Sequence, residues 1–119
     1  MKSVVKVYGL KRCSTCVKAQ AWLTEHEIAF EFIDYRDHVV APETLIQWAQ
    51  SVGGWEKLIN RASTTWRALP ETDKAVSSAP GYLALIADAP TLVKRPVLVL
   101  PDGHVAVGFS DKKYSELLG

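Results

Sequence analysis

Two short apolar runs, Val4 to Gly9 and Ile28 to Tyr35, bracket a stretch that contains neither glycine nor proline. The first is β-branched and aromatic and reads as a strand, and "IAFEFIDY" alternates well enough to be a second. Between them, Ser14 to about Glu27 is rich in Ala, Gln, Leu and Lys, which predicts a helix. Ala19, Trp22, Leu23 and His26 recur at helical spacing as its expected buried stripe. The second connection is short, so the strands must run parallel on either side of a crossover helix. This β-α-β unit constrains the rest of the fold.

After it the character changes. Pro42 lies just inside the start of "APETLIQWAQSVG", where a helix tolerates proline, and Gly53-Gly54 closes that segment. "WEKLIN", "TTWRALP" and "APGYLALIADAP" read as short helical pieces, and no convincing strand falls between about residues 37 and 92. Strands return at "VLVL", directly after Arg95-Pro96. The turn Pro101 to His104 and "VAVGF" complete a hairpin, and Ser110 or Asp111 can cap a last helix to Leu118. The order βαβ, helices, ββα is that of an α/β, thioredoxin-like core with a mixed four-stranded sheet. We expect one domain over residues 1–119, with the core at 1–36 and 93–119 and a helical insertion at 37–92; a chain of 119 residues suits one modest core.

Composition excludes several classes. Apolar residues are 48% and charged residues 23%, an ordinary globular balance. The formal net charge of +1 gives no reason to expect nucleic-acid or anionic-membrane binding, and no apolar run is long enough to span a bilayer. Met1 to Lys6 lacks the apolar region of a secretory signal, so a cytoplasmic, reducing compartment is expected.

The chain has two cysteines, Cys13 and Cys16, three positions apart. They could be small core residues, half a metal site or a redox pair. His26, His38 and His104 are scattered without ligand spacing, so no metal is expected. Position favours redox chemistry, because this Cys-x-x-Cys sits where a strand feeds a helix in a β-α-β unit. Cys13 lies at the helix mouth, where unpaired N–H groups and the helix dipole favour thiolate, and Lys11 and Arg12 add positive charge. A fall of about two pKa units corresponds to roughly 2.7 kcal/mol, within reach of a few charge-assisted hydrogen bonds. Cys16, one turn deeper, should be less activated and could act as the resolving thiol. Arg61, Arg67 and Arg95 are further cations that a thiol site could use to hold carboxylates or an oxyanion.

Taken together, these residues resemble the ArsC/Spx/YffB family, the arsenate-reductase-like branch of the thioredoxin fold. "VYGLKRC", "TTWR", "KRPVL" and "GFSDKKY" carry the resemblance in order, over nearly the full chain. "TTWR" with "GFSD" points to the YffB subgroup, described as probable glutathione-dependent thiol reductases. The resemblance implies that Cys13 is the nucleophile, that Arg95 contacts substrate, that Pro96 is cis, and that glutathione is a co-substrate with no bound cofactor. The chain departs from the family in three places. Glutathione-coupled arsenate reductases carry an arginine after strand 4, where this chain has Gly108. The insert arginine usually stands at the position of Ala62, and Arg61 is one residue early, a shift of about 100° on a helix. Many YffB-like members have one cysteine, whereas Cys16 resembles the pair of Spx, a redox-sensing regulator that binds RNA polymerase. Gly54 falls where Spx has the glycine of its polymerase-binding face, although a helix C-cap explains Gly54 equally well. The expected function is therefore thiol reduction, with a polymerase-binding regulator and an arsenate reductase as alternatives.

Overall fold

Alternation decides how the first strand sits. In β1 (Val5–Gly9), Val5, Val7 and Gly9 are buried while Lys6 points to solvent. The computed structural model describes residues 4–76 and 78–118; Met1 to Ser3, part of the leader reading, lie outside the described residues. α1 (Ser14–Glu25) crosses over to β2 (Phe30–Asp34), which pairs parallel to β1 from Val5↔Phe30 to Gly9↔Asp34. β3 (Val97–Val99) runs antiparallel on the other side of β1, with Val7 opposite Leu98. β4 (Val105–Val107) pairs with β3 through the Pro101–His104 turn, giving the order β2-β1-β3-β4. Gly103 adopts φ 94° in that turn, and the Leu100 amide donates to His104 O at 2.9 Å. This is the expected mixed four-stranded α/β sheet.

The chain divides into two compact units, one up to His38 and from Arg95 onward, the other Val39–Lys94. In the sheet-bearing unit, Val5, Val7, Ala19, Trp22, Leu23, Leu98 and Tyr114 form one buried cluster. Tyr114 comes from the last helix, α7 (Asp111–Leu118). Its ring meets Trp22 edge-on at 5.5 Å, and the Trp22 indole N–H donates to Asp111. Ser110 is the cap of α7: its hydroxyl accepts from the Lys113 amide at 3.0 Å.

One expectation about α1 is corrected. Ala19, Trp22 and Leu23 are buried together with Cys16, but His26 is exposed. The helix stops at Glu25 because Glu27 turns left-handed, with φ 56°. His26 stacks on Trp22 at 3.8 Å and shares a 2.8 Å hydrogen bond with Trp22 O, so it covers the core from outside.

The second unit contains α2 (Pro42–Val52), α3 (Trp55–Leu58), α4 (Thr64–Arg67), α5 (Glu71–Lys74), α6 (Ala79–Asp88) and a 3₁₀ turn (Pro90–Leu92). α2 buries Leu45, Trp48 and Ala49 and ends at Gly53 in the left-handed region, φ 100°. The Gly54 amide then returns to Ala49 O at 2.7 Å, a Schellman-type stop. Ser63 caps α4 by accepting from the Trp66 amide at 3.1 Å. One isolated antiparallel bridge, Ile59↔Val93, joins a residue inside the strand-free stretch of about 37–92 to one just past its end. It is flanked by Asn60 N donating to Leu92 O at 2.8 Å and Lys94 N donating to Leu58 O at 2.9 Å. Among the described residues, no helix is long and apolar enough to cross a membrane.

Candidate functional site

The chain leaves β1 at Gly9 and turns through Leu10, Lys11 and Arg12, a turn closed by Cys13 N donating to Leu10 O at 3.2 Å. Cys13 is the N-cap of α1, in extended backbone at φ −80°, ψ 121°, and no side chain caps the helix end. First-turn amides are thus left for a negative group at the cap. Partial burial by itself pushes the Cys13 thiol up. The Cys16 amide, the Cys16 thiol, the Thr15 amide and the Arg95 guanidinium all favour the thiolate and together outweigh it, and Cys13 lies below the ordinary thiol value.

Cys16 has the opposite environment. It is fully buried, and burial pushes its thiol up to about 11; a backbone hydrogen bond with Leu10 offsets this only in part, and Cys13 adds to the rise. Its sulfur lies against Gly9, where a methyl group would land on it, so the glycine that ends β1 is required by space.

Arg95 enters from the segment before β3, and the Arg95–Pro96 bond is cis. Pro96 O accepts from the Gly108 amide at 2.9 Å, which ties this segment to the chain leaving β4. Burial would lower the Arg95 pKa, but hydrogen bonds to the Tyr35 hydroxyl and to Cys13 outweigh it and hold the guanidinium charged. Tyr35 is itself buried, and its hydroxyl is pushed up to about 12 with Arg95 opposing the rise. It therefore stays neutral and accepts from Arg95 beside the thiol.

Asp34, at the C-terminal end of β2, is only 8% exposed. Its carboxylate accepts from the Lys11 amide at 3.0 Å and the Arg36 amide at 2.9 Å, clipping the cysteine loop to the turn after β2. Burial pushes this carboxyl up, and the amides of Lys11 and Arg36 more than reverse that, leaving it below the usual carboxylate range. Lys11 Nζ adds a second clip to Asp37 at 2.8 Å. The ammonium expected to activate Cys13 is therefore paired elsewhere; Arg95 is the cation bonded to the sulfur. Loop, turn and Arg95 enclose an open cleft of about 860 Å³, with Arg12, Cys13, Arg36 and Arg95 on its lining.

Arg61 and Arg67 belong to the other unit. The Arg61 guanidinium lies 5.1 Å over the Trp66 ring, and Arg67 ends α4 with its carbonyl accepting from Lys74 Nζ at 3.0 Å. Both side chains are exposed. Sequence reasoning missed Asp34, Tyr35 and Arg36. The signal available was register: parallel strands end on the same edge, so the residues leaving β2 must lie beside those leaving β1.

Comparison with known proteins gives consistent matches. The ArsC family model matches residues 8–117. An uncharacterised protein of Haemophilus influenzae is 40% identical over 111 residues, covering 93% of this chain and 96% of that one. The global transcriptional regulator Spx of Streptococcus agalactiae is 30% identical over 108 residues, covering 89% of this chain and 77% of that one. A solved structure of a protein named YffB superposes with a TM-score of 0.88 at 38% identity, covering 98% of this chain and 100% of that one. An arsenate reductase (ArsC) related protein from Brucella melitensis gives 0.75 at 41% identity, covering 95% and 92%.

Proposed function

The chain belongs to the ArsC family, and from that premise we propose that it is a glutathione-dependent thiol reductase with Cys13 as nucleophile and Arg95, beside Pro96, as the cation that steadies it. The observation that carries this reading is the split between the two thiols: Cys13 lowered at an uncapped helix mouth, Cys16 raised to about 11 one turn away.

The Cys13 thiolate attacks one sulfur of a substrate disulfide. That S–S bond breaks, a mixed disulfide forms on Cys13, and the departing thiolate takes a proton from water. When the retained half is glutathione, a second glutathione thiolate attacks the adduct, releases glutathione disulfide and restores the Cys13 thiolate. The net change is one mixed disulfide plus one glutathione giving one free thiol plus glutathione disulfide. Resolution by Cys16 is the slower branch. A thiol with pKa about 11 is ionised in only about one molecule in ten thousand at neutral pH. The test is titration with glutathione disulfide followed by mass spectrometry. A glutathione adduct on Cys13, reversed by added glutathione, is the expected result; no adduct at millimolar disulfide would sink the proposal.

A second reading has one observation in its favour. The Cys16 thiol is hydrogen-bonded to the Cys13 sulfur, so an oxidant could link them and switch a surface that binds RNA polymerase, as the Spx relatives suggest. Oxidant-dependent co-purification with the polymerase would support it. Arsenate reduction is the weakest alternative. Gly108 replaces the further arginine of glutathione-coupled arsenate reductases and sits at φ 79°, where a side chain is strained. Vigorous glutathione-dependent arsenate turnover would reverse that ordering.

A further inference from the structure

We infer that Arg36, with Arg12, forms a carboxylate-binding subsite of the thiol cleft, separate from Arg95, and that the preferred substrates are disulfides carrying carboxylates within reach of the sulfur.

The inference follows from how charge is shared out around Cys13. Four cations line the cleft, Lys11, Arg12, Arg36 and Arg95, against two carboxylates, Asp34 and Asp37. Both carboxylates are engaged within the protein. Asp37 holds Lys11 Nζ at 2.8 Å, and Asp34 is turned onto the backbone amides of Lys11 and Arg36 at 3.0 and 2.9 Å. Arg95 is bonded to Cys13 and Tyr35. That leaves Arg12 and Arg36. Neither guanidinium has an ion pair or hydrogen bond among the described residues, and both side chains are exposed on the cleft lining. Their backbones are nonetheless fixed, because Asp34 holds the Arg36 amide directly and the amide beside Arg12 through Lys11. Two forked, permanently charged donors on anchored backbone suit a carboxylate. A lysine pair would lack the bidentate geometry, and the one lysine here is already neutralised. The disulfide part of the inference rests on the thiol-reductase reading; the anion part does not.

The experiment compares anionic and neutral reagents of nearly equal size on Cys13. Rates of alkylation by iodoacetate and iodoacetamide are measured at neutral pH for the wild type, Arg36→Gln, Arg36→Lys and, as a control cation outside the cleft, Lys112→Gln. In Arg36→Gln the iodoacetate to iodoacetamide ratio should fall about two- to fivefold, the range for a charge contact that solvent screens. Iodoacetamide should change less than twofold, Arg36→Lys should recover part of the ratio, and Lys112→Gln should leave it unchanged. High salt should compress the wild-type ratio toward that of Arg36→Gln. An unchanged ratio, or equal slowing by both reagents, would overturn the subsite. In a second arm, glutathione disulfide and the uncharged bis(2-hydroxyethyl) disulfide are titrated to half-maximal Cys13 adduct. Arg36→Gln should weaken only the first; equal weakening of both counts against the subsite. If the wild type forms no adduct with either disulfide, the reductase reading fails, and the alkylation ratio still decides whether the cleft selects anions.

Discussion

The two units of this chain differ in where their internal bonds run. In the helical unit the helix caps and stops are local, Ser63 to Trp66, Ser78 to Gly81 and Gly54 to Ala49, and the long-range joins are the Ile59–Val93 bridge with its flanking amides and the Thr65–Thr91 hydroxyl pair. In the sheet-bearing unit the polar stitches join distant parts of the sequence. The Lys11 amide reaches Asp34, the Trp22 indole reaches Asp111, and Gly108 reaches Pro96. The difference bears on function. A thiol that must be flanked by an amide end, a guanidinium and a phenol needs groups from several strands, and only the unit built from long-range pairings brings them to one edge. Local capping builds scaffold; it assembles no comparable set of groups.

The largest test of this contrast is Trp22→Ala. It removes a nearly buried ring, its edge-on contact with Tyr114 and the bond to Asp111. We expect a loss of about 3–5 kcal/mol by urea denaturation. A loss under about 1 kcal/mol would mean that the long-range stitch is dispensable.

Next comes the thiol pair. At neutral pH Cys13 should be alkylated at least about 100-fold faster than Cys16, because about two pKa units separate Cys16 from an ordinary thiol. The stability consequence has a definite sign. The folded state holds the Cys16 proton after the unfolded state has released it, so Cys16 makes stability fall as pH rises from the ordinary thiol value toward about 11. Cys16→Ala should flatten that decline, and a steeper decline would refute the assignment.

Asp34→Ala should cost about 1–3 kcal/mol, since it strips the acceptor from two loop amides, and it should slow Cys13 alkylation several-fold at fixed pH. Asp34→Asn, which keeps one acceptor, should lie between. If Cys13 reacts normally in Asp34→Ala, the carboxylate is structural only. The smallest effect belongs to the other unit. Ser63→Ala should cost about 1 kcal/mol, read as faster hydrogen exchange at the Trp66 amide.

What the sequence revealed follows the same division. The β-α-β unit, the hairpin and the cysteine pair at the helix mouth were legible because each rests on short-range pattern: alternation, helical spacing, turn residues. Arg95 and its cis proline were legible through resemblance. Asp34 was not, because its value depends on meeting a loop 23 residues earlier, which no local pattern records. Lys11 was misread for the same reason. Its charge is real, but Asp37, distant in sequence, takes it up. His26 followed the helical period correctly and still ended up exposed, because one left-handed residue, Glu27, ended the helix first.

The single bridge between Ile59 and Val93 makes a neck, with the chain entering and leaving the segment beyond it at one point. For a closed loop, the entropy of bringing the ends together grows only with the logarithm of its length, so that even a doubling adds about 0.6 kcal/mol. That is less than the expected effect of the Ser63 cap alone. Residues can therefore be added to the stretch between Asn60 and Leu92 at little cost to the closure itself. A peptide inserted at an exposed turn there should leave the neck's hydrogen bonds protected from exchange.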